Sequence, residues 1–335
     1  MEMKIGSIKL KQKVQIFFIT FIAILLLTRA YVFQDISDEE ILPSSTHNLN
    51  ITVEFPLDAY YVEPFKHPQV SNSTKNKYDI IVITGASNNH FCPMKSLIYR
   101  LKALGLKNVG IVAYDLGFEK KNRKNFIHLA KLGYVTEFRV FNFSAYPSFW
   151  DLTLRKNKKN KGEYAWKVGM IAEVARDYPG KILVWMDAGN VGSEKYFTHL
   201  KDWMPEFHGF ISPNSPGQAK EWIHPGVYDY FNDNHTLYDE LNNCNAASLA
   251  FDTKISQIII DDWYKCALNK ECIAPPGSSR KNHRQDQALI TYLVARRGIS
   301  CRTNRSSLGV TTHRDHLCKE YNEKYEEKNR KSLGT

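Results

Sequence analysis

Short, wholly apolar runs alternate with longer stretches of helical period through the chain between residues 79 and 295. Asp79-Ile-Ile-Val-Ile-Thr84 is apolar on both faces, the pattern of a strand buried in a parallel sheet. The polar Gly85-Ala-Ser-Asn-Asn-His90 predicts a turn after it. From Pro93 to Leu104, Leu97, Leu101 and Leu104 share one helical face, and Gly105 stops the helix. Val109-Gly-Ile-Val-Ala-Tyr114 predicts a second strand, ended by Asp115-Leu-Gly117. Asn125–Leu132 predicts a short helix and Val135–Asn142 a third strand. Tyr164–Tyr178 predicts a helix with Trp166, Met170, Ile171 and Val174 inward. Pro179-Gly180 then punctuates the start of the most apolar strand, Ile182-Leu-Val-Trp185, and Gly189 marks its end.

Further on, Asn245-Ala-Ala-Ser-Leu-Ala-Phe-Asp252 predicts a strand and Ser256–Ala267 a helix. Asp286-Gln287 opens a helix carrying Leu289, Ile290, Leu293 and Val294. Strands separated by helices imply an α/β fold with a mostly parallel, doubly wound, Rossmann-like sheet. In open sheets of this kind ligands bind beyond the carboxyl ends of the strands, where Asp187 stands. An aspartate there also serves simply to open a turn. Asp286 has its own structural account, since a carboxylate at a helix start is favoured by the helix dipole. His313 and His316, three apart, suit a surface turn as well as a ligand site.

The N-terminus changes the picture of where this fold works. Lys4, Lys9, Lys11 and Lys13 precede the apolar segment Val14–Phe33. This predicts a cytoplasmic tail (1–13) and a transmembrane signal-anchor (14–33) in type II orientation. The competing reading is a signal peptide cleaved after Thr28-Arg-Ala30. Residues 34–77, with scattered prolines and polar runs, are expected as a loosely ordered stem, residues 78–318 as the folded domain, and 319–335 as a charged tail. Asn-x-Ser/Thr triplets at Asn50, Asn72, Asn142, Asn234 and Asn304 agree with a lumenal domain. So do the six cysteines, none in a C-x-x-C pair, with Cys266 and Cys272 the local candidates for a disulfide.

The net charge of +10 is dispersed. Its one dense run, Arg155–Lys161, lacks interleaved aromatic residues and reads as a solvated loop, so no nucleic-acid partner is expected. The chain has no G-x-G-x-x-G, P-loop or G-x-S-x-G motif, which disfavours dinucleotide, P-loop and α/β-hydrolase chemistry.

In order, an anchor, a stem, a strand-end aspartate, an Asn-Ala-Ala strand and an Asp-Gln helix start resemble GT-A-fold glycosyltransferases. Val82–His90, Tyr114–Gly117, Ala165–Lys167, Trp185–Ala188 and His283–Gln287 resemble, as a set, the lumenal family called domain of unknown function 1647. The resemblance spans about residues 78–318. It implies a GT-A-like catalytic domain that moves a sugar from a nucleotide-sugar donor to a glycan or glycoprotein acceptor in the Golgi or ER. The alternative is a non-catalytic domain of the same fold that binds a glycan or a protein partner.

Similarity to glycogenin-like transferases assigns roles. Asp187 matches the first carboxylate of the Asp-x-Asp motif, which holds a divalent metal, Mn2+ in the resemblance. Lys167 resembles a lysine that faces the donor nucleotide; Asp115 is a candidate from its own position, at the end of a strand facing the same crevice, for contact with the nucleoside. Asn245, Asp286 and Gln287 stand by the reacting sugar, and His313 is a metal-ligand candidate. This chain departs at the second motif carboxylate, where it has Gly189. The chemistry suits these types: a leaving diphosphate is neutralised by a hard cation or an ammonium, and a carboxylate beside the anomeric carbon orients the acceptor hydroxyl.

Overall fold

The computed structural model describes residues 49–68, 71–152, 161–301 and 308–332. The expected tail, signal-anchor and first part of the stem lie outside these residues. Among the described residues no helix is long and apolar enough to cross a membrane.

The chain runs β1 (Ile80–Ala86), α1 (Phe91–Ala103), β2 (Val109–Asp115), α2 (Lys120–Lys131), β3 (Glu137–Val140), α3 (Ala165–Asp177) and β4 (Ile182–Met186). It continues with β5 (Val191–Gly192), α4 (Glu194–Glu206), β6 (Phe210–Ile211), β7 (Asn214–Gln218), β8 (Asn242–Cys244) and β9 (Ser248–Asp252). The last elements are α5 (Thr253–Leu268), α6 (Asp286–Ala295), β10 (Val310–Thr311) and α7 (Cys318–Ser332). The central sheet has the order β3-β2-β1-β4-β9-β6. β1 to β4 are parallel, and β9 runs antiparallel to β4 and to β6. The sheet is therefore mixed at one end, with the expected parallel arrangement through its centre.

Register aligns the functional edge. Ala86 lies opposite Asp115, and Ile83 opposite Trp185, so β1, β2 and β4 finish along one border of the sheet. Because β9 is antiparallel and Met186 pairs with Ser248, the segment that enters β9, Asn245–Ala247, meets the same border. Alternation along β4 divides the core. Leu183 and Trp185 pack with Met170, Ile171, Val174 and Trp263 on one face of the sheet, while Val184 and Met186 pack with Leu97, Phe126 and Leu200 on the other. Each such buried side chain contributes about 1.5–3 kcal/mol relative to exposure. Trp166, expected inward, is only partly buried and donates its indole N–H to the Lys161 carbonyl at 2.8 Å.

Two segments expected outside the folded domain, the later part of the loose stem and the charged tail, are docked on it. Residues 49–68, assigned to the stem from their prolines, form an extended strap over α3 and α5. Val53 is buried, and Leu49, Phe55, Val62 and Phe65 pack on the main core. Backbone groups lacking a sheet partner are satisfied by side chains. The Phe65 N–H donates to the Tyr146 hydroxyl at 3.0 Å and the Tyr60 N–H to Asn269 Oδ1 at 2.6 Å. The Val62 carbonyl accepts from the Tyr264 hydroxyl at 2.9 Å. His67 reaches the buried Glu173 at 2.8 Å. The charged tail after 318 is the helix α7, whose tyrosines face α1. The Tyr99 and Tyr325 rings stack at 4.3 Å, and Arg100 lies 3.6 Å over the Tyr321 ring.

All six cysteines pair, as Cys92–Cys318, Cys244–Cys301 and Cys266–Cys272. The last is the local pair expected from the sequence. Peptide mapping without reduction should recover these three links. Removing Cys266–Cys272, whose partners are 6 residues apart, should lower stability by about 2 kcal/mol in the chain-entropy picture, since so short a loop restrains the unfolded chain little. Denaturant titration of the Cys266→Ala/Cys272→Ala variant measures this.

Candidate functional site

Two cavities open at the aligned border of the sheet. The larger, about 820 Å3, is lined by the end of β1 and the turn after it (Gly85–His90), Leu116-Gly117 and the Asp187–Asn190 turn, with His313 and Asp315. The smaller, about 520 Å3, lies against β7, the Asn245–Ala247 turn and the start of α6, with Trp222, Arg280 and Arg284 in its wall. Tyr164, Lys167, Asp187 and His313 line both, so the two cavities meet over these four residues.

Lys167 sits in the first turn of α3 and is 4% exposed. Its ammonium is 2.7 Å from Asp286 and 3.4 Å from Asp187, and donates to the Ala246 carbonyl at 3.0 Å. One lysine thus ties together the end of β4, the turn before β9 and the start of α6. Burial disfavours the ammonium, but the two carboxylates outweigh it and hold Lys167 above its ordinary pKa. Two carboxylates around one cation leave one negative charge uncompensated, and carrying it costs most at the more buried of them. Burial pushes the Asp286 carboxyl above the usual carboxylate range, with Lys167 opposing and Asp187 adding to the rise.

Asp187 is the more open carboxylate, its side chain 38% exposed. Its backbone N–H donates to the Ala247 carbonyl at 2.9 Å, which fixes the strand end, and its Oδ1 accepts from the Trp185 indole at 2.7 Å. Asp286 follows Gln285, whose backbone (φ 41°, ψ −111°) is one that L residues rarely adopt. Surrounding structure enforces it: Trp263 donates its indole N–H to the Asp286 carbonyl at 3.1 Å, and the Thr291 hydroxyl accepts the Cys244 N–H at 3.0 Å. Four of the positive-φ non-glycine residues among those described, Glu163, Tyr164, Gln285 and His313, cluster here. No side chain caps α6, so Asp286 does not serve as its N-cap.

The other expected residues divide. Gln287 lines the smaller cavity and keeps a buried Nε2 without a partner. Asn245 lines it too, but its Oδ1 accepts the Ala247 N–H at 3.1 Å and so shapes its own turn. His313 is exposed and faces both cavities; His316 lines neither. Asp115, expected at the nucleotide, lines neither cavity. Its fully buried carboxylate accepts the Gly117 and Phe118 N–H groups at 2.8 and 2.6 Å and pairs with Arg123 at 2.6 Å, an Asx-type turn that holds β2 to α2. Sequence reasoning passed over Tyr164, Trp222, Arg280, Arg284 and Asp315, because single aromatic or charged side chains in loops carry no spacing signal.

The residues around Gly189 suit a hard divalent cation. Asp187 and Asp315 offer carboxylates, His313 an imidazole, and the 2%-exposed Asn190 leaves its buried Oδ1 without a partner. Among the described residues no group of three or more His, Cys, Asp or Glu side chains is close enough to hold a metal unaided.

The family described as protein of unknown function DUF1647 matches residues 60–168, a stretch that includes part of the strap and ends just beyond Lys167. The fold is similar to the apo structure of the bifunctional glycosyltransferase WbbM, at 14% identity and a TM-score of 0.45. That match covers 72% of this chain but only 40% of WbbM. It is also similar to the galactosyltransferase LgtC in complex with donor and acceptor sugar analogs, at 12% identity and a TM-score of 0.42, covering 73% of this chain and 95% of that one. A third similar structure is the mannosyltransferase Ktr4p from S. cerevisiae in complex with GDP, at 11% identity and a TM-score of 0.39, covering 74% and 73%. At such identities these are likenesses of chain path and say nothing of side chains. None of the curated proteins compared with the chain matches it.

Proposed function

We propose that this chain is a glycosyltransferase that moves a sugar from a nucleotide-sugar donor to a glycan or glycoprotein acceptor. The observation that carries the reading is the Asp187–Lys167–Asp286 array, with Lys167 and Asp286 buried, at the junction of two cavities. The larger cavity, at the ends of β1 and β4, takes the nucleotide, and the smaller takes the acceptor, so the transferred sugar lies over Lys167.

In the reaction the acceptor oxygen bonds to the anomeric carbon while the bond from that carbon to the diphosphate breaks. The diphosphate leaves with the electron pair, and the hydroxyl proton passes to a base. Lys167 holds positive charge where the diphosphate departs, and needs no reorganisation to do so. Asp286, with its raised pKa, orients the acceptor hydroxyl and is placed to take its proton. A divalent cation held by Asp187 and its neighbours would add charge neutralisation at the diphosphate.

The three disulfides and the exposed sequon residues Asn50 and Asn234 support work in an oxidising lumen, of the Golgi or ER. The anchor at 14–33 would hold it there as a type II membrane protein. A non-catalytic glycan- or protein-binding domain is the second reading, and Gly189 is the feature that favours it.

A screen of nucleotide-sugars for hydrolysis and transfer, with and without Mn2+, tests the proposal. One donor should be consumed, and Asp187→Asn should weaken its Mn2+-dependent binding by about tenfold or more while leaving thermal stability nearly unchanged. Failure of every nucleotide-sugar to bind would favour the second reading.

A further inference from the structure

We infer that Asp315 supplies the second carboxylate of the cation site, the one that Gly189 withholds; this rests on the transferase reading above. The Asp187-Ala-Gly-Asn190 turn closes with the Asn190 N–H donating to the Asp187 carbonyl at 2.9 Å. A Cβ built on Gly189 would fall 2.6 Å from Asp315 Oδ1 and nearer still to Oδ2. The Asp315 carboxylate therefore stands in the space that a side chain at position 189 would enter. The glycine leaves that space open, and a side chain there would displace the carboxylate.

The structure fixes Asp315 in this place from both directions. On its N-terminal side, β10 pairs antiparallel with β5, Val310 opposite Gly192 and Thr311 opposite Val191. The Ser193 N–H donates to the Gly309 carbonyl at 2.9 Å, and the Arg314 N–H to the Gly189 carbonyl at 2.7 Å. On its C-terminal side, Cys318 is tied to Cys92 in α1. His313, at φ 60°, turns the chain so that His313 and Asp315 line one cavity. Among the described residues no lysine or arginine forms an ion pair with Asp315; Lys167, in the same cavity, pairs instead with Asp187 and with Asp286 of the neighbouring cavity. Beside it the buried Asn190 Oδ1 is unpartnered, an acceptor without a donor in the same wall. Oxygen acceptors without donors are what a hard cation recognises.

A carboxylate moved from a strand-end turn to a distant segment keeps its charge in the same part of the cavity. The motif is thus incomplete in the sequence and complete in the fold. Since the protein groups alone do not enclose a cation, Mn2+ and a nucleoside diphosphate should each tighten the binding of the other.

The test measures Mn2+ affinity of the full chain in detergent, by electron paramagnetic resonance of the free ion, with UDP or with GDP present. Asp315→Asn should weaken Mn2+ binding by about tenfold or more at unchanged melting temperature. Gly189→Asp alone should lower the melting temperature, as two carboxylates compete for one space. The double variant Gly189→Asp/Asp315→Ala should return Mn2+ affinity to within about threefold of wild type, because the carboxylate is restored from the other segment. Wild-type affinity in Asp315→Asn, alongside weakened binding in Asp187→Asn, would overturn the inference and leave the transferase reading standing. A loss in Asp315→Asn that the double variant does not recover would overturn it too. Absence of nucleotide and Mn2+ binding in the wild type would remove the transferase reading itself.

Discussion

Asp286→Asn should lower turnover by roughly two or more orders of magnitude while nucleotide affinity stays within about twofold of wild type. The substitution keeps the shape of the side chain and an oxygen that accepts from Lys167. It removes the charge, and with it the capacity to take a proton. Lys167 remains compensated by Asp187 at 3.4 Å, so the fold should hold and the melting temperature should change by no more than a few degrees. Burial raises the Asp286 pKa, which gives a second readout. Activity of the wild type should fall on the acid side through a pKa above the ordinary carboxylate range, since a base is inactive once protonated, and the residual activity of Asp286→Asn should lack that limb. Near-wild-type turnover in the variant would return Asp286 to an electrostatic role at the start of α6, where Asp and Asn differ only modestly.

How much of this was legible beforehand depends on the range of the interactions. β1, β2, β4 and α3 are written locally, as apolar runs and helical periods, and the structure places them where the pattern does. Asp187, Lys167 and Asp286 were identifiable by position and resemblance, but their mutual contact was not. Lys167 and Asp286 are 119 positions apart, by subtraction of their numbers, and meet only because β9 reverses beside β4. The strap 49–68 has no period of its own, since its hydrogen bonds go to side chains of α3, α5 and their flanking loops rather than to a neighbouring strand. α7 is highly charged overall, and its few tyrosines were too sparse to mark a buried face, yet they are what docks it on α1. Asp115 misled in the opposite direction. A strand-end aspartate in an open sheet is ambiguous between ligand and turn, and the following Leu116-Gly117-Phe118 backbone claims it for the turn. Gly189 looked like a defect because only its own segment was visible.

Lys167→Met should be the most destabilising single change at the site, by about 3–5 kcal/mol near neutral pH, or a fall of roughly 10 °C in melting temperature. Methionine retains the length and apolar packing of the lysine stem, so the loss isolates the charge. Without the ammonium, Asp286 is a buried carboxylate with Asp187 as a like-charged neighbour and the Ala246 carbonyl also left without its donor. Both effects push the folded-state pKa of Asp286 further above its value in the unfolded chain. The sign of the pH dependence follows. A carboxyl whose pKa is raised by folding binds its proton more tightly in the native state, so stability increases as pH falls from the folded pKa toward the unfolded value near 4. The deficit of Lys167→Met relative to wild type should therefore be largest at pH 7 to 8 and shrink steadily on titration to about pH 5. Lys167→Arg, which keeps the charge, should show a smaller deficit with little pH dependence. Denaturant titrations of the three proteins at several pH values decide the matter. A deficit in Lys167→Met that does not change with pH would mean that Asp286 is solvated once the lysine is gone, and that the array owes its geometry to packing rather than to its buried ion pair.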